Sequence, residues 1–354
     1  MRSLANLDCF FLAGEFDSRL KGTFFENFYD YDNGLFRLRL SKESVLVDLA
    51  GFAFVSSDNV FPSPPQQPSS FAMLLRKRLS SSKLESVKQL AFDRIFEFSF
   101  SSGKGRHFLV AELFGKQGNL LLLDEKRKII QPFRKAAYSV RSLAGGEDYV
   151  LPPNERKHPS ELEAEDFEGG KGKIVSFLSK KTSLAPFYLE EACVRAEISL
   201  DAKVEGLEKR QKERLVEELH SLLDEKPFPE LFFEGGVPFE FSSLKLRKLG
   251  GLREHFDSLS KALEAGYFNA GKPVLAVKGD KLEFQLQSQE KALEEFVFKE
   301  NEAQAAGKWV FENSSAVEEL LVLARKHDDK ALEKLASKIG FKAKTEGSKL
   351  VLEK

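Results

Sequence analysis

Between Gln89 and Phe100 the chain reads QLAFDRIFEFSF. Taken every second residue from Phe92, the stretch gives Phe92, Arg94, Phe96, Phe98 and Phe100. The alternate set is Asp93, Ile95, Glu97 and Ser99. A period of two puts successive side chains on opposite sides of an extended strand, so the pattern predicts a half-buried strand over residues 92–100. A face made almost wholly of phenylalanine needs a broad apolar surface against it, and so a covered sheet. Arg94 interrupts that face. A guanidinium withdrawn from water without a partner is costly, so it must meet a carboxylate or lie where the strand opens to solvent. Asp93 points to the other side of a regular strand. Better partners are Asp8 and Glu15 on the first predicted helix, which share one face about 10 Å apart along its axis.

The chain has 354 residues, enough for two or three domains. Its 42% hydrophobic and 31% charged residues suit a soluble globular fold. The net charge of −1 gives no global basicity, so any nucleic-acid contact has to come from a local patch. The two cysteines, Cys9 and Cys193, sit in apolar helical contexts, which speaks against a disulfide framework and for a reducing, cytoplasmic setting. Asp8 breaks the opening apolar run LANLDCFFLAGEF, so no secretory signal is expected. No window offers 18 apolar residues, so no membrane span is expected either.

Helical spacing predicts a first helix over residues 4–20, with Leu4, Leu7, Phe11 and Leu12 as its stripe. A β-rich region follows. Asp32-Asn33-Gly34 marks a hairpin turn between two strand-like runs, and SVLVDLAGFAFVS is a further strand or pair. The Pro/Ser stretch at 61–70 is a loop, with Ser69 or Ser70 as the cap of the helix FAMLLRKRL. Strands are expected at 92–100, 107–114 and 119–124, and a fourth at 128–132. From Lys173 the pattern turns helical. The expected organisation is α+β: an N-terminal β-rich domain at 1–172, a helical module at 173–226, a connecting segment at 227–285 with a short hairpin near its end, and a short coiled-coil or helical region with a terminal strand at 286–354.

Chemistry-bearing motifs are few. The five histidines and two cysteines show no metal-ligand spacing, and GGKGK at 169–173 lacks the strand–loop–helix setting of a phosphate loop. No cofactor or metal is expected. The basic candidates are local: Arg76, Lys77 and Arg78 in succession on one helix, then Lys104, Arg106 and Lys116 in strand-connecting loops. Such groups suit phosphate-backbone contact without base reading. They converge if the loops lie on the helix's side of the sheet.

Five separated stretches resemble one family. LANLDCFFLAGEFDSRLKG is similar to its opening L-D-x-x-x-L-x-x-E-L-x-x-x-L-x-G. PSSFAMLLRKRL and the later DRI are similar to P-x-x-F-x-M-x-L-R-K-x-L and D-R-I. ELFGKQGNLLLLD resembles E-L-x-G-K-x-x-N-x-x-L-x-D, and YVLPP resembles Y-x-x-P-P. SQEKALEEFVFKENEAQAAGKWVFENSSAVEELL resembles the Q-E-x-A-(I/L) and I-Y-E-N-x-x-x-V-E helices. The family is NFACT, the ribosome quality control factors that include the nuclear export mediator factor and bacterial RqcH proteins, some bearing the older name of fibronectin-binding proteins.

The resemblance implies a formamidopyrimidine-DNA-glycosylase-like β-sandwich domain, then a helix-hairpin-helix module and a coiled-coil arm. It implies a non-enzymatic factor whose partners are the large ribosomal subunit carrying a stalled peptidyl-tRNA and tRNA, often alanyl-tRNA, for untemplated C-terminal tailing. A separate NFACT RNA-binding protein is a further implied partner. Asp8, Asp93 and Arg94 match the family's tRNA-binding motif, and Arg76, Lys77, Arg78 and Lys116 are the expected phosphate contacts. Three departures stand out: Ser183 and Ala185 occupy positions usually glycine in the helical hairpin, Ser80-Ser81-Ser82-Lys83 replaces a commonly glycine-containing turn, and the coiled coil is short. The alternative reading from the shared fold, a DNA glycosylase, needs an N-terminal proline nucleophile, whereas the sequence opens Met1-Arg2-Ser3.

Overall fold

A computed structural model describes residues 1–31, 34–56, 61, 63–103, 105–269, 300, 304–305, 307–326, 329–346 and 349–353. The chain forms two compact units, Met1–Leu275 and Ala276–Lys354.

The first unit opens with α1 (Asn6–Leu20), which buries Leu7, Leu12, Phe16 and Leu20. Strands β1 (Phe25–Tyr31), β2 (Leu35–Leu40), β3 (Ser44–Asp48) and β4 (Phe52–Ser56) form an antiparallel sheet in that order. The expected hairpin is present: Tyr31 pairs with Leu35, although Asp32 and Asn33 lie outside the described residues. The run SVLVDLAGFAFVS makes a pair. Its turn residue Gly51 has φ +126, and a Cβ there would come within 2.5 Å of Ser3 Cβ, so only glycine fits. Ser69 caps α2 (Ser70–Leu79) by accepting a hydrogen bond from the Ala72 amide at 3.1 Å.

A second antiparallel sheet follows: β5 (Lys83–Gln89), β6 (Ile95–Ser102), β7 (Gly105–Glu112), β8 (Asn119–Leu123) and β9 (Ile129–Pro132), in that order. Strand β5 escaped sequence reading because a register shift between Leu84 and Ser86 spaces its buried apolar residues, Leu84 and Val87, three apart. Two expectations for residues 92–100 are corrected. The strand begins at Ile95, not Phe92, because residues 90–94 form the preceding turn. Nor is it half-buried. Phe96, Phe98 and Phe100 pack into a core shared by both sheets, α1 and α2, while Ile95 enters a smaller cluster with Val110 and Leu121 on the opposite face. Glu97, on that second face, is buried because Arg127 grips it in a bidentate pair at 2.6 and 3.0 Å. The short pair β10 (Ala136–Ala137) and β11 (Ser142–Leu143) supplies Leu143 to the same cluster.

Helices α3 (Ile174–Lys181), α4 (Pro186–Arg195) and α5 (Lys209–Asp224) follow in the stretch read as helical from Lys173. Their core also holds Leu7, Phe92, Phe232 and Leu244, so the module is packed against its neighbours. Residues 227–285, read from sequence as a connection, contain β12 (Glu230–Glu234), β13 (Val237–Ser242), β14 (Leu252–His255) and α6 (Leu259–Asn269). Leu231, Phe241, Leu259 and Leu263 lie in the same core as α1 and the two sheets. Residues 227–269 thus join that core, and the hairpin expected near the end of the segment lies outside the described residues.

In the second unit, α7 (Ser314–Arg325), α8 (Asp329–Lys338) and the hairpin β15 (Lys342–Glu346) and β16 (Lys349–Glu353) enclose Leu320, Leu332 and Ala336. The expected terminal strand is β16. Residues 286–299 of the expected coiled coil lie outside the described residues.

Candidate functional site

Asp8 sits in the first turn of α1 and has no exposed surface. It accepts hydrogen bonds from the Ala5 amide at 2.7 Å, from Arg2 Nη1 and Nη2 at 2.5 and 3.2 Å, from the Ser243 hydroxyl at 2.5 Å, and from the Tyr188 hydroxyl. The Arg2 guanidinium is clamped between the rings of Phe187 and Phe241, at 4.0 and 4.2 Å, and its Nε lies 3.4 Å from Glu240. Burial, then the Asp8 charge, raises the Tyr188 phenol above its ordinary range, so it remains a donor. Asp8 therefore ties the chain's first residues, α1, α4 and β13 together. This corrects the expected Asp8–Arg94 clamp: the carboxylate is saturated by Arg2. Glu15 is also taken, by Arg19 at 3.0 Å and by the Leu259 and Ser260 amides at the start of α6, at 3.0 and 3.3 Å.

The β5–β6 connection carries Asp93 and Arg94. The Asp93 amide donates to the Leu90 carbonyl at 3.0 Å, closing a four-residue turn. Its central residues, Ala91 and Phe92, have φ +52 and +47. Left-handed backbone matches the twist of a hairpin but strains any residue with a Cβ. The turn swings Phe92 away from the face of Phe96, Phe98 and Phe100. Its ring instead meets Phe10 at 6.0 Å and His158 at 4.5 Å. Asp93 Oδ1 accepts from the Arg94 amide at 2.7 Å, and the Arg94 carbonyl accepts from the Leu113 amide at 2.9 Å.

The Arg94 side chain is half-buried, lies 5.4 Å from the Phe114 ring, and enters no ion pair among the described residues. Partial exposure and the ring face meet its electrostatic need. Gln89 Nε2 donates both to the Asn6 carbonyl at 2.7 Å and to the Asp93 carbonyl at 2.9 Å, fixing the turn to the start of α1. The Cys9 thiol, pushed up by burial and by Asp8, also feels the charges of Arg94 and Asp93. Asp8 is sealed, whereas Asp93 and Arg94 are half-buried.

The basic candidates divide. Arg76 Nε and Nη2 both donate to the Phe28 carbonyl, at 2.9 and 2.8 Å, so its donors are partly spent. Lys77, Arg78 and Lys116 are exposed. Helix α2 leads into β5, whose Lys83 pairs with Ser101, itself opposite Arg106, so the end of α2 that carries Arg78 lies towards the start of β7. Lys116 lies in the turn beyond the end of β7. Six residues of extended chain from His107 to Leu113 separate these ends by about 20 Å. The condition under which the loop cations would converge with Arg76, Lys77 and Arg78 is not met for Lys116.

Other family-like positions are structural. The buried Glu112 is held by Arg141 at 2.5 and 2.9 Å and by the Tyr149 hydroxyl at 2.9 Å, which joins two of the motifs. In the α3–α4 connection the Ser183 amide donates to the Lys157 carbonyl at 2.9 Å and the Ala185 amide to Asn6 Oδ1 at 3.2 Å, so both amides are used internally. Arg2, Tyr188, Ser243 and Gln89 were missed from sequence. Only Arg2, six residues before Asp8, left a local signal. Among the described residues no group of three or more His, Cys, Asp or Glu side chains could hold a metal ion, and no helix is long and apolar enough to cross a membrane.

Comparison with known proteins bears on this geometry. A family model described as NFACT N-terminal and middle domains matches residues 31–335. The chain is 30% identical over 308 residues to the archaeal Rqc2 homologue aRqcH of Methanocaldococcus jannaschii, covering 81% of this chain and 45% of that protein. It is 29% identical over 213 residues to the Rqc2 homologue RqcH of Streptococcus suis, covering 57% of this chain and 36% of that one. Identity to the human ribosome quality control complex subunit NEMF is 34% over 133 residues, 37% of this chain and 12% of that one. The chain spans less than half the length of these curated relatives. Among solved structures, the N-terminal part of the fibronectin/fibrinogen-binding protein from Streptococcus suis has a TM-score of 0.61 at 20% identity, covering 75% of this chain and 99% of that one. The fibrinogen binding protein from Staphylococcus aureus has the same score and identity, covering 73% and 97%. Likeness at that identity speaks for the fold alone.

Proposed function

The chain belongs to the NFACT N-terminal and middle-domain family, and from that premise we propose that it is a ribosome quality control factor. It binds the large ribosomal subunit carrying a stalled peptidyl-tRNA and recruits tRNA, alanyl-tRNA by the family resemblance, for untemplated tailing. It performs no bond chemistry of its own. The single observation that carries the reading is the strained Leu90–Asp93 turn, which holds Asp93 and Arg94 at the surface in a fixed conformation. Left-handed non-glycine residues persist where the surroundings over-determine them, and such strain gathers at functional sites.

In this reading Asp93 and Arg94 contact tRNA. Asp8 is a positioning residue that acts through Arg2, Tyr188 and Ser243 on the start of α1, to which Gln89 fastens the turn. Lys77, Arg78 and Lys116 contact backbone phosphates at two separate places, with Arg76 as a partial contributor. The finer fold reading, a glycosylase-like sandwich followed by a helix-hairpin-helix module, belongs to the same proposal. It is supported by two sheets sharing one core and by the short α3–α4 connection. A separate NFACT RNA-binding protein would supply contacts that the internally used Ser183 and Ala185 amides do not.

The test is co-sedimentation with large ribosomal subunits bearing peptidyl-tRNA at moderate salt, with tRNA scored in the pellet. The chain is expected to pellet with the subunit and to bring tRNA. The Asp93→Ala/Arg94→Ala variant is expected to pellet but to bring less tRNA. Failure of the unaltered chain to pellet, or tRNA recovery unchanged in the variant, would sink the proposal or its site assignment respectively.

A further inference from the structure

The strained turn at Ala91-Phe92 is gripped from a distance. Gln89 Nε2 donates to the Asp93 carbonyl at 2.9 Å and to the Asn6 carbonyl at 2.7 Å. Both partners are acceptors, so the amide nitrogen and not the oxygen must face them. Asn6 opens α1 and is buried. Its Oδ1 accepts from the Leu7 amide and from the Ala185 amide, both at 3.2 Å. Ala185 is the residue from which α4 starts. One chain of hydrogen bonds therefore runs from the α3–α4 connection, through Asn6 at the start of α1, to the Asp93 carbonyl.

An apolar tie runs beside it. Phe92 is buried in the core of α3, α4 and α5 rather than with the phenylalanines of β6. Its ring meets His158 at 4.5 Å, and the adjoining Lys157 carbonyl accepts from the Ser183 amide at 2.9 Å. The turn is thus tied to the same α3–α4 connection twice, at Ala185 and at Ser183. Two left-handed residues that carry a Cβ are costly, and they persist only where the surroundings over-determine them. The surroundings here are α1 and the helical module.

We propose that Asn6 and Gln89 are positioning residues for tRNA recruitment. They transmit the placement of the α3–α4 connection to the Asp93-Arg94 turn, so the turn keeps its tRNA-binding shape only while the helical module is seated against it. The inference rests on the proposed tRNA reading of Asp93 and Arg94 and deepens it. Neither Asn6 nor Gln89 needs to touch tRNA. Ser183 and Ala185 gain a part as well: their amides hold the turn in place of an external phosphate.

The experiment uses the full 354-residue chain and two readouts. One is the tRNA recovered per chain pelleted with the large subunit. The other is hydrogen exchange of the Asp93 amide, which closes the turn on the Leu90 carbonyl. Gln89→Met keeps the length of the side chain and removes the donor. Two hydrogen bonds are lost, so Asp93 exchange is expected to rise about tenfold and tRNA recovery to fall about fivefold, while exchange of the β6–β7 amides stays within about twofold. Gln89→Lys, whose ammonium can donate to both carbonyls, is expected to restore both readouts to within about twofold. Asn6→Ala removes only the side-chain acceptor and leaves the Asn6 carbonyl to Gln89. It is expected to raise Asp93 exchange about threefold, and to add nothing in the Gln89→Met background, because the two act in series.

Unchanged recovery in Gln89→Met, no rescue by lysine, exchange rising as much in β6–β7 as in the turn, or additive effects of Asn6→Ala and Gln89→Met would each overturn the assignment. If the unaltered chain pellets without tRNA, the proposed function fails, and exchange alone decides whether Asn6 and Gln89 hold the turn: an Asp93 amide unmoved by Gln89→Met means that they do not.

Discussion

Asp8 and Arg94 are both charged residues at the junction of α1 and the second sheet, yet the protein treats them oppositely. Asp8 is withdrawn from water and saturated by donors from Arg2, Ala5, Tyr188 and Ser243. Arg94 is half-buried, rests on one aromatic ring and has no carboxylate partner among the described residues. Burial with complete pairing makes a charge into an architectural joint, because removing one member strands the others. Exposure without pairing leaves a charge available to a ligand. A motif that joins the two kinds of residue couples a fixed frame to a free group. The prediction from this contrast is that stability lies with Asp8 and recognition with Arg94.

The contrast breaks most visibly at Asp8. Asp8→Ala leaves a buried guanidinium and two hydroxyls without their acceptor, and is expected to cost about 3–5 kcal/mol in urea unfolding. A loss below about 1 kcal/mol would mean that water or Glu240 takes over, and the frame would not depend on this carboxylate. Tyr188→Phe sharpens the same point at smaller scale. It removes one donor to Asp8 and the acceptor of the Ser243 amide, which lies 3.2 Å from the hydroxyl, while keeping the ring in its core. The expected cost is about 1–2 kcal/mol, and in an Asp8→Ala background it should shrink, since the two share one network.

The sequence made one half of this comparison legible and hid the other. Arg94 stood out because a charge among phenylalanines violates a period of two, and the rule that it needs relief was sound. The relief was misassigned because the period was carried through Phe92. Two left-handed residues shift the chain there, and nothing in Ala91-Phe92 announces them, since glycine or asparagine is the usual mark of such a turn. Asp8 was legible as a candidate but not as a sealed one. Its partners Tyr188 and Ser243 come from 180 and 235 residues away, and only tertiary packing brings them in. The same limit applies to residues 227–285. Leu231 and Phe241 have no periodic context that separates a core strand from a loop, and much of the core they join lies more than a hundred residues earlier in the chain. The hairpins at 25–40 and 44–56 and the helices α1 to α5, by contrast, were visible because their signals are local.

The turn offers smaller tests. Ala91 is exposed and held at φ +52, so Ala91→Gly relieves strain without removing a contact. The relief exceeds the extra entropy of glycine in the unfolded chain, and a gain of about 0.5–1 kcal/mol is expected in urea unfolding. Ser81, at φ +60, should respond to Ser81→Gly in the same sense. If Ala91→Gly stabilises the fold and also weakens tRNA recovery, the strain is part of the site. If it stabilises and leaves recovery unchanged, the strain is incidental to where Asp93 and Arg94 point.

The smallest expected effect on stability is the most informative for the comparison. Arg94→Ala gives up a single partly solvated cation–ring contact, so unfolding in urea should shift by no more than about 0.5 kcal/mol. The backbone bonds of Arg94, to the Asp93 carboxylate and from the Leu113 amide, survive the substitution. The tRNA recovered with the large subunit should nonetheless fall severalfold, because alanine cannot replace an arginine fork on a ligand's phosphate or base edge. A large stability loss in Arg94→Ala would place it with Asp8 as a joint of the frame, and the division of labour between the two charges would not hold.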